Sequence, residues 1–255
     1  MKTFLVSGAG SGIGQSIAQR LSKADPQNRL ILLGRNENKL RTTIKMLENS
    51  STHQVLVADL LDPLSVQKAL QLVDLENMNL SGVIANAGVG GPNQYGPNDR
   101  WDQIINTNLR GTYVLIQECL PALMASKEEF KNIVIVSSIL ARLGVPGYSA
   151  YCASKAGLLG LMRSFAAEYA SKNILVNAIC PGWVDTSMST EGLKGIAEAM
   201  GISREKAQEI EMSRVPLGKM SQPAEIASLV EYLMSGAQTS LTGQTLDING
   251  GAIMP

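Results

Sequence analysis

The chain has 255 residues, and its 22 Lys and Arg balance 22 Asp and Glu, so the formal net charge is zero. A neutral chain lacks the net basic surface that binding nucleic acid or an anionic membrane requires. Hydrophobic residues at 45% against 17% charged exclude a disordered chain, and one histidine with three scattered cysteines (Cys119, Cys152 and Cys180) leaves a metal site, a histidine triad and a disulfide framework without supply.

The first apolar run, Phe4-Leu5-Val6, is too short for the core of a signal peptide. No stretch nears the roughly 20 apolar residues of a membrane span. A cytoplasmic chain with free thiols is the expectation. The run leads into Ser7-Gly8-Ala9-Gly10-Ser11-Gly12-Ile13-Gly14 and a helical pattern over 12–22. Strand, glycine turn and helix start in that order make a phosphate cradle. Glycines admit a close backbone approach, and the helix N-terminus offers free N–H groups and a positive dipole end. The spacing is GxxxGxG, carried by Gly8, Gly12 and Gly14.

A second run, 30–33, ends at Gly34-Arg35-Asn36, where Asn36 can cap a helix over 37–49. A third, 55–58, ends at Asp59-Leu60 and precedes Asp62-Pro63, suited to N-cap and N1 of a helix over 63–73. The fourth, 83–85, meets Asn86-Ala87-Gly88, and the helical pattern over 99–124 that follows contains Asn108. The fifth, 133–136, runs to Ser138, and the helix over 150–170 carries Tyr151 and Lys155. The sixth spans 174–179. Residues 182–220 break the rhythm with short helical pieces and four methionines, before Gln222-Pro223 opens a helix over 222–235 and a last strand covers 245–248. The first six runs are apolar nearly throughout, as strands covered on both faces are. The alternation predicts an α/β fold, one domain over 1–255 with a parallel sheet, helices on both faces and a substrate lid at about 183–220.

Tyr151 and Lys155 lie four residues apart and share one helix face. A nearby ammonium favours the phenolate, and this is expected to bring the tyrosine pKa down toward catalytic use. Ser138 is either a donor to a carbonyl oxygen or a turn cap. Asn108 either orients Lys155 or a water, or is a buried polar residue bonded to backbone.

Together these residues resemble the short-chain dehydrogenase/reductase family. Ser7 to Gly14 matches its TGxxxGxG motif with serine for threonine, and Asn86-Ala87-Gly88 matches its NAG motif. Asn108, Ser138, Tyr151 and Lys155 fall on its Asn-Ser-Tyr-Lys tetrad, and Pro181-Gly182 with Thr186 on its PG motif. The resemblance implies a Rossmann-type doubly wound sheet in the order 3-2-1-4-5-6-7 and hydride transfer between a nicotinamide and a carbonyl or alcohol. It implies that Tyr151 is the acid and base, that Lys155 lowers its pKa and holds the nicotinamide ribose, and that Ser138 polarises the carbonyl. Asn108 then supports a proton-relay water, and Asp59 with Leu60 holds the adenine. Asn86, Ala87 and Gly88 flank the adenosine ribose, and Ile179 through Thr186, including Val184, flank the nicotinamide. Ser11, Gly12 and Ile13 complete the phosphate turn.

No acid ends the second run. Gly34 leaves room there, and Arg35 can pair with a 2′-phosphate, with Asn36 beside it, so NADP(H) is expected over NAD(H). Ser11 stands where many NADP-preferring members carry a second basic residue. A mainly apolar pocket is expected from Tyr95, Leu140, Leu143, Val145, Tyr148, Trp183 and Met188, with Arg142 either meeting a carboxylate or, as the favoured reading, facing water. Pro216-Leu217-Gly218-Lys219 and Thr242 through Gly251 resemble the 3-oxoacyl-(acyl carrier protein) reductase branch, and Lys127, Lys131 and Lys172 are the candidate basic patch for an acidic carrier. A sugar, cyclic-alcohol or steroid-like substrate is the alternative. A sugar epimerase and a non-catalytic NAD(P)-sensing protein stand further off. Cys152 is read as buried on the back of its helix and His53 as a surface residue. The family resemblance implies a homotetramer or homodimer through the helices 99–124 and 150–170, with Ala153, Gly157, Gly160, Ala166, Ala167 and Ala170 as a face for close packing.

Overall fold

The computed structural model describes residues 1–254. Seven strands, β1 (Thr3–Ser7), β2 (Arg29–Gly34), β3 (Gln54–Val57), β4 (Leu80–Ala85), β5 (Lys131–Val136), β6 (Ile174–Pro181) and β7 (Thr245–Ile248), form one sheet in the order β3-β2-β1-β4-β5-β6-β7. Every pairing is parallel. Successive residues of a strand face opposite sides. Leu5 therefore packs with Val83, Ile133 and the helices α3 (Pro63–Leu70), α5 (Gly111–Ala125) and α6 (Ser149–Tyr169). Phe4 and Val6 pack on the other side with α1 (Gly12–Ala24) and α9 (Pro223–Met234). β1, β4, β5 and β6 are buried along their whole length, which is why their sequences are apolar without alternation. The chain order reverses between β1 and β4, so a crevice opens beyond the carboxyl ends of these strands.

Three helices differ from their sequence expectation. The helix α2 (Glu37–Ile44) stops before residue 49, where Met46 and Leu47 turn back on Thr43 and Ile44. Ser22 Oγ then takes the Glu48 N–H at 2.7 Å. α3 stops at Leu70, where the Leu72 N–H closes on Ala69. The segment expected as one long helix is α4 (Trp101–Ile105), a π-helical turn over Asn106–Arg110, and α5. Gly111 follows that turn because a side chain there would strike the backbone carbonyl of Leu60.

Residues 183–220 leave the sheet at Val184 and return at Ser221. The ends are tied by Asp185 N–H to Ser221 O and Ser221 N–H to Trp183 O, both 2.9 Å. The helices α7 (Ser187–Met200) and α8 (Arg204–Ser213) lie inside this excursion. Among the described residues no helix is long and apolar enough to cross a membrane, and no cluster of three metal-ligating side chains occurs.

His53 is not a surface residue. Its ring is buried, accepting the Leu30 N–H at Nδ1 (3.1 Å) and donating from Nε2 to the Glu48 carbonyl (2.7 Å). Cys152 is half-buried rather than buried.

Candidate active site

The glycine turn is held from behind by β4. Ser7 Oγ accepts the Asn86 and Ala87 N–H groups, each at 3.0 Å, and Asn86 Nδ2 donates to the Ser7 carbonyl at 3.0 Å. The family's threonine hydroxyl is thus replaced by an equivalent one. Gly8 and Gly12 have φ of 68° and 56°, a region that side chains disfavour. A side chain on Gly14 would collide with the Gly8 carbonyl and the Asn86 amide. Gly14 therefore serves by close packing behind the turn. Ser11 makes no side-chain cap on α1, unlike Asn36 on α2 and Thr186 on α7. The first N–H groups of α1 are free for an anion.

A cleft of about 350 Å³ runs along the carboxyl ends of the strands. Gly8, Ser11, Gly12 and Ile13 form its middle, with Asn86, Ala87 and Gly88 opposite. Arg35 and Asn36 stand at one end near Asp59 and Leu60, and Ser138, Tyr151 and Lys155 at the other. Pro181, Gly182, Val184 and Thr186 close the side next to β6. This cradle and charge pattern fit a dinucleotide with an added phosphate. Sequence reasoning missed Lys39, Thr107, Ser137, Ser187 and Ser189, which also line the cleft. Lys39 is legible only once Asn36 is fixed as the cap, because it then falls in the first turn of α2 beside Arg35. Its Cβ would be 3.0 Å from a side chain at Gly10. Ser187 and Ser189 belong to the first turn of α7, whose hydroxyl-rich start was the available signal.

At the other end, Ser138 follows β5, its Oγ accepts the Leu140 N–H at 3.1 Å, and its hydroxyl lies beside the Tyr151 phenol. Lys155 Nζ donates to the Val136 carbonyl at 3.0 Å and lies 5.6 Å from the Tyr151 ring centroid. Ser137 Oγ donates to the Lys155 carbonyl at 2.8 Å, which locks α6 to β5 at this turn. Burial pushes the Lys155 ammonium down to about 8. Burial also pushes the Tyr151 phenol up, and the Ser138 hydroxyl offsets part of that. The downward shift expected from Lys155 is therefore corrected: desolvation of the phenol dominates, and the Lys155 ammonium makes no hydrogen bond to it.

Asn108 lies behind the cleft wall. Its Oδ1 accepts the Val89 N–H (2.8 Å), and its Nδ2 donates to the Val89 carbonyl (3.0 Å) and to Ser154 Oγ (3.1 Å). It braces the loop after β4 against α6 and does not bond Lys155. The π-helical turn presents it at this place.

The proposed substrate residues disperse. Met188 lines the cleft and packs over Gly90, with Sδ 3.3 Å from where a side chain there would begin. Trp183 turns its ring onto Gly192 of α7. Tyr95 is 97% exposed and does not line the cleft. Leu143 and Val145 are exposed, Tyr148 is half-buried, and Leu140 lies outside the cleft wall. Arg142 stays partly exposed, and its guanidinium pairs with the Asp247 carboxylate. Lys131 is buried, its ammonium spent on the Lys172 carbonyl at the start of β5, so the basic trio lies at the amino-terminal ends of the strands, opposite the cleft. On α6, Gly157 is covered by Leu109 and Ala166 belongs to the core, whereas Ala153, Gly160, Ala167 and Ala170 face outward.

The family model described as enoyl-(acyl carrier protein) reductase, of the short-chain dehydrogenase/reductase type, matches residues 8–252. The chain belongs to the short-chain dehydrogenase/reductase family. Within that family it is 31% identical over 255 residues to a 3-oxoacyl-(acyl carrier protein) reductase of Rickettsia prowazekii, covering 99% of this chain and 97% of that one. Among solved structures, a variant of the actinorhodin polyketide ketoreductase with NADPH superposes with a TM-score of 0.90 at 31% identity, covering 98% and 97% of the two chains. Levodione reductase superposes with a TM-score of 0.88 at 25% identity, covering 98% and 96%. This short-chain dehydrogenase/reductase is accordingly an oxidoreductase.

Proposed function

We propose that this protein reduces the ketone of a 3-oxoacyl thioester with NADPH. The observation that carries the reading is one continuous cleft with Arg35 and Lys39 at one end and Ser138, Tyr151 and Lys155 at the other. The reductase and ketoreductase relatives support the same chemistry. Two cations suit a 2′-phosphate that an acidic residue would repel. The uncapped start of α1 and the positive-φ glycines suit the pyrophosphate.

When bound, NADPH supplies the hydride that adds to the carbonyl carbon. Ser138 donates a hydrogen bond to the carbonyl oxygen and fixes its place, and Tyr151 gives that oxygen its phenolic proton. A phenol held protonated by burial is in the correct state for an acid at neutral pH. Lys155, anchored on Val136, holds the ribose and keeps positive charge near the phenolate that forms. Asn108 acts through Val89 and Ser154 by bracing the loop that faces the substrate. The chain works as one nucleotide-binding domain, and 183–220 serves as the lid, with Ser187, Met188 and Ser189 of α7 reaching the cleft. The outward small face of α6 supports a homotetramer or homodimer, and three free thiols suit a reducing compartment such as the cytoplasm.

A cyclic diketone is the second reading, supported by the likeness to levodione reductase. A screen of NADPH and NADH oxidation over acetoacetyl thioesters, cyclic diketones and sugars separates the two. Turnover confined to thioesters with NADPH upholds the first reading; turnover of sugars with NADH overturns it. Sedimentation at micromolar concentration tests the assembly, and a monomer contradicts it.

A further inference from the structure

We propose that Asn93 is a positioning residue for Tyr151, acting as an N-terminal cap of α6 supplied from the loop after β4. Tyr151 is the third residue of α6. The first N–H groups of any helix lack partners within it, and a cap from the preceding residue ordinarily supplies one. In α2, α3, α7 and α8 that residue does so, through Asn36, Asp62, Thr186 and Ser203. In α6 the residue at that place is Tyr148, which gives no side-chain bond. The acceptor comes instead from 57 residues earlier in the chain: the Ala150 N–H donates to Asn93 Oδ1 at 2.9 Å. Ser149 Oγ donates to the same oxygen at 3.2 Å. Ala150 is fully buried, so no water replaces this acceptor at the helix core side.

The rest of Asn93 fixes where that oxygen stands. Its backbone N–H donates to the Gly147 carbonyl at 2.8 Å, in a turn where Gly147 takes a φ of 77°. Its Nδ2 lies 3.3 Å from Asp99 Oδ1, the atom that also accepts the Trp101 N–H at the start of α4. One side chain thereby joins the loop after β4, the turn before α6 and the entry to α4. That loop reaches the site itself, since a side chain at Gly90 would begin 3.8 Å from the Tyr151 ring. Asn93 sets the distance between this loop and the first turn of α6, and with it the direction of the phenol. An ordered first turn also aims the positive end of α6 near Tyr151, which favours the phenolate that forms on proton transfer.

This inference rests on the acid role proposed for Tyr151, and the test reads the two apart. Asn93→Ala and Asn93→Asp are compared with the unaltered protein; the Asn93→Asp protein also carries Asp99→Asn, so that it keeps the acceptor for Ala150 and Ser149 and has an amide donor, not a second carboxylate, opposite it. Acetoacetyl-thioester reduction is measured well below the melting temperature, together with carbon-13 NMR of labelled tyrosine, the Tyr151 signal being assigned with Tyr151→Phe. The expected result is a kcat about tenfold lower in Asn93→Ala, with the KM for NADPH within about twofold, a Tyr151 signal that moves and titrates higher, and recovery of most of both in Asn93→Asp. Equal losses in the two variants, or a Tyr151 signal and kcat unchanged in Asn93→Ala, overturn the inference. If Asn93→Ala does not fold, Asn93→Asp decides: a kcat and Tyr151 signal near those of the unaltered protein support it, and a tenfold loss overturns it. If the unaltered protein reduces no carbonyl, the acid role fails separately, and the NMR comparison still decides what Asn93 does.

Discussion

Arg142 and Asp247 form a two-pronged ion pair, with Nε 3.1 Å from Oδ1 and the guanidinium 3.0 Å from Oδ2. The pair ties the turn that follows Ser138 to β7, at the residue facing Cys180 across the sheet. Both side chains are largely covered, at 25% and 18% exposure, so the pair stands between the surface and interior regimes. A double-mutant cycle of Arg142→Met and Asp247→Asn, read by urea unfolding, is expected to give a coupling of about 1–2 kcal/mol. Additive effects refute this brace.

Cofactor choice rests on Arg35 and Lys39, which line the same end of the cleft. Arg35→Asp is expected to raise the KM for NADPH by about tenfold or more and to lower that for NADH, while Lys39→Ala weakens NADPH alone and by less. Steady-state kinetics with both cofactors check this. An unchanged ratio in Arg35→Asp sinks the assignment of the phosphate end.

The buried His53 predicts a specific acid lability. Burial holds its pKa below the ordinary value, with the Glu48 carbonyl opposing in part. As pH falls through about 6.5 the unfolded chain takes a proton that the native ring resists, since protonation ends acceptance of the Leu30 N–H. Stability from this group is thus present above that pH and lost progressively below it. His53→Gln can donate and accept without titrating, so its melting temperature should fall less between pH 7 and 5. Parallel thermal profiles for the two proteins count against this account.

Lys155 follows the same sign in a higher pH window. Its pKa of about 8 lies below the ordinary 10.5, so between these values the unfolded chain binds a proton the native chain has released, and stability rises with pH there. Below about 8 the cost of burying the ammonium is fully present. Lys155→Met is therefore expected to gain about 1–2 kcal/mol at pH 7, after the lost bond to Val136, while losing activity. A variant less stable at pH 7 contradicts the direction.

What the sequence showed and hid follows from the range of the interactions. The Gly8 to Gly14 turn, the Asn36 and Asp62 caps and the apolar strands depend on residues close in the chain, and they were legible. Arg142 pairs 105 residues away and His53 bonds Leu30, 23 residues away, so neither partner shows in a local pattern. The outward position of Tyr95 was hidden for the same reason: a loop's direction depends on what it packs against. The upward shift at Tyr151 needs the depth of burial, which residue spacing does not give.

Proton donation by Tyr151 in a carbonyl reduction is tested most directly by comparing NADPH oxidation with an acetoacetyl thioester in the unaltered protein and in Tyr151→Phe. The predicted result is clear turnover in the first and a kcat about 100- to 10,000-fold lower in the second, with NADPH binding by fluorescence titration within about threefold. A phenylalanine variant that keeps kcat within threefold contradicts it.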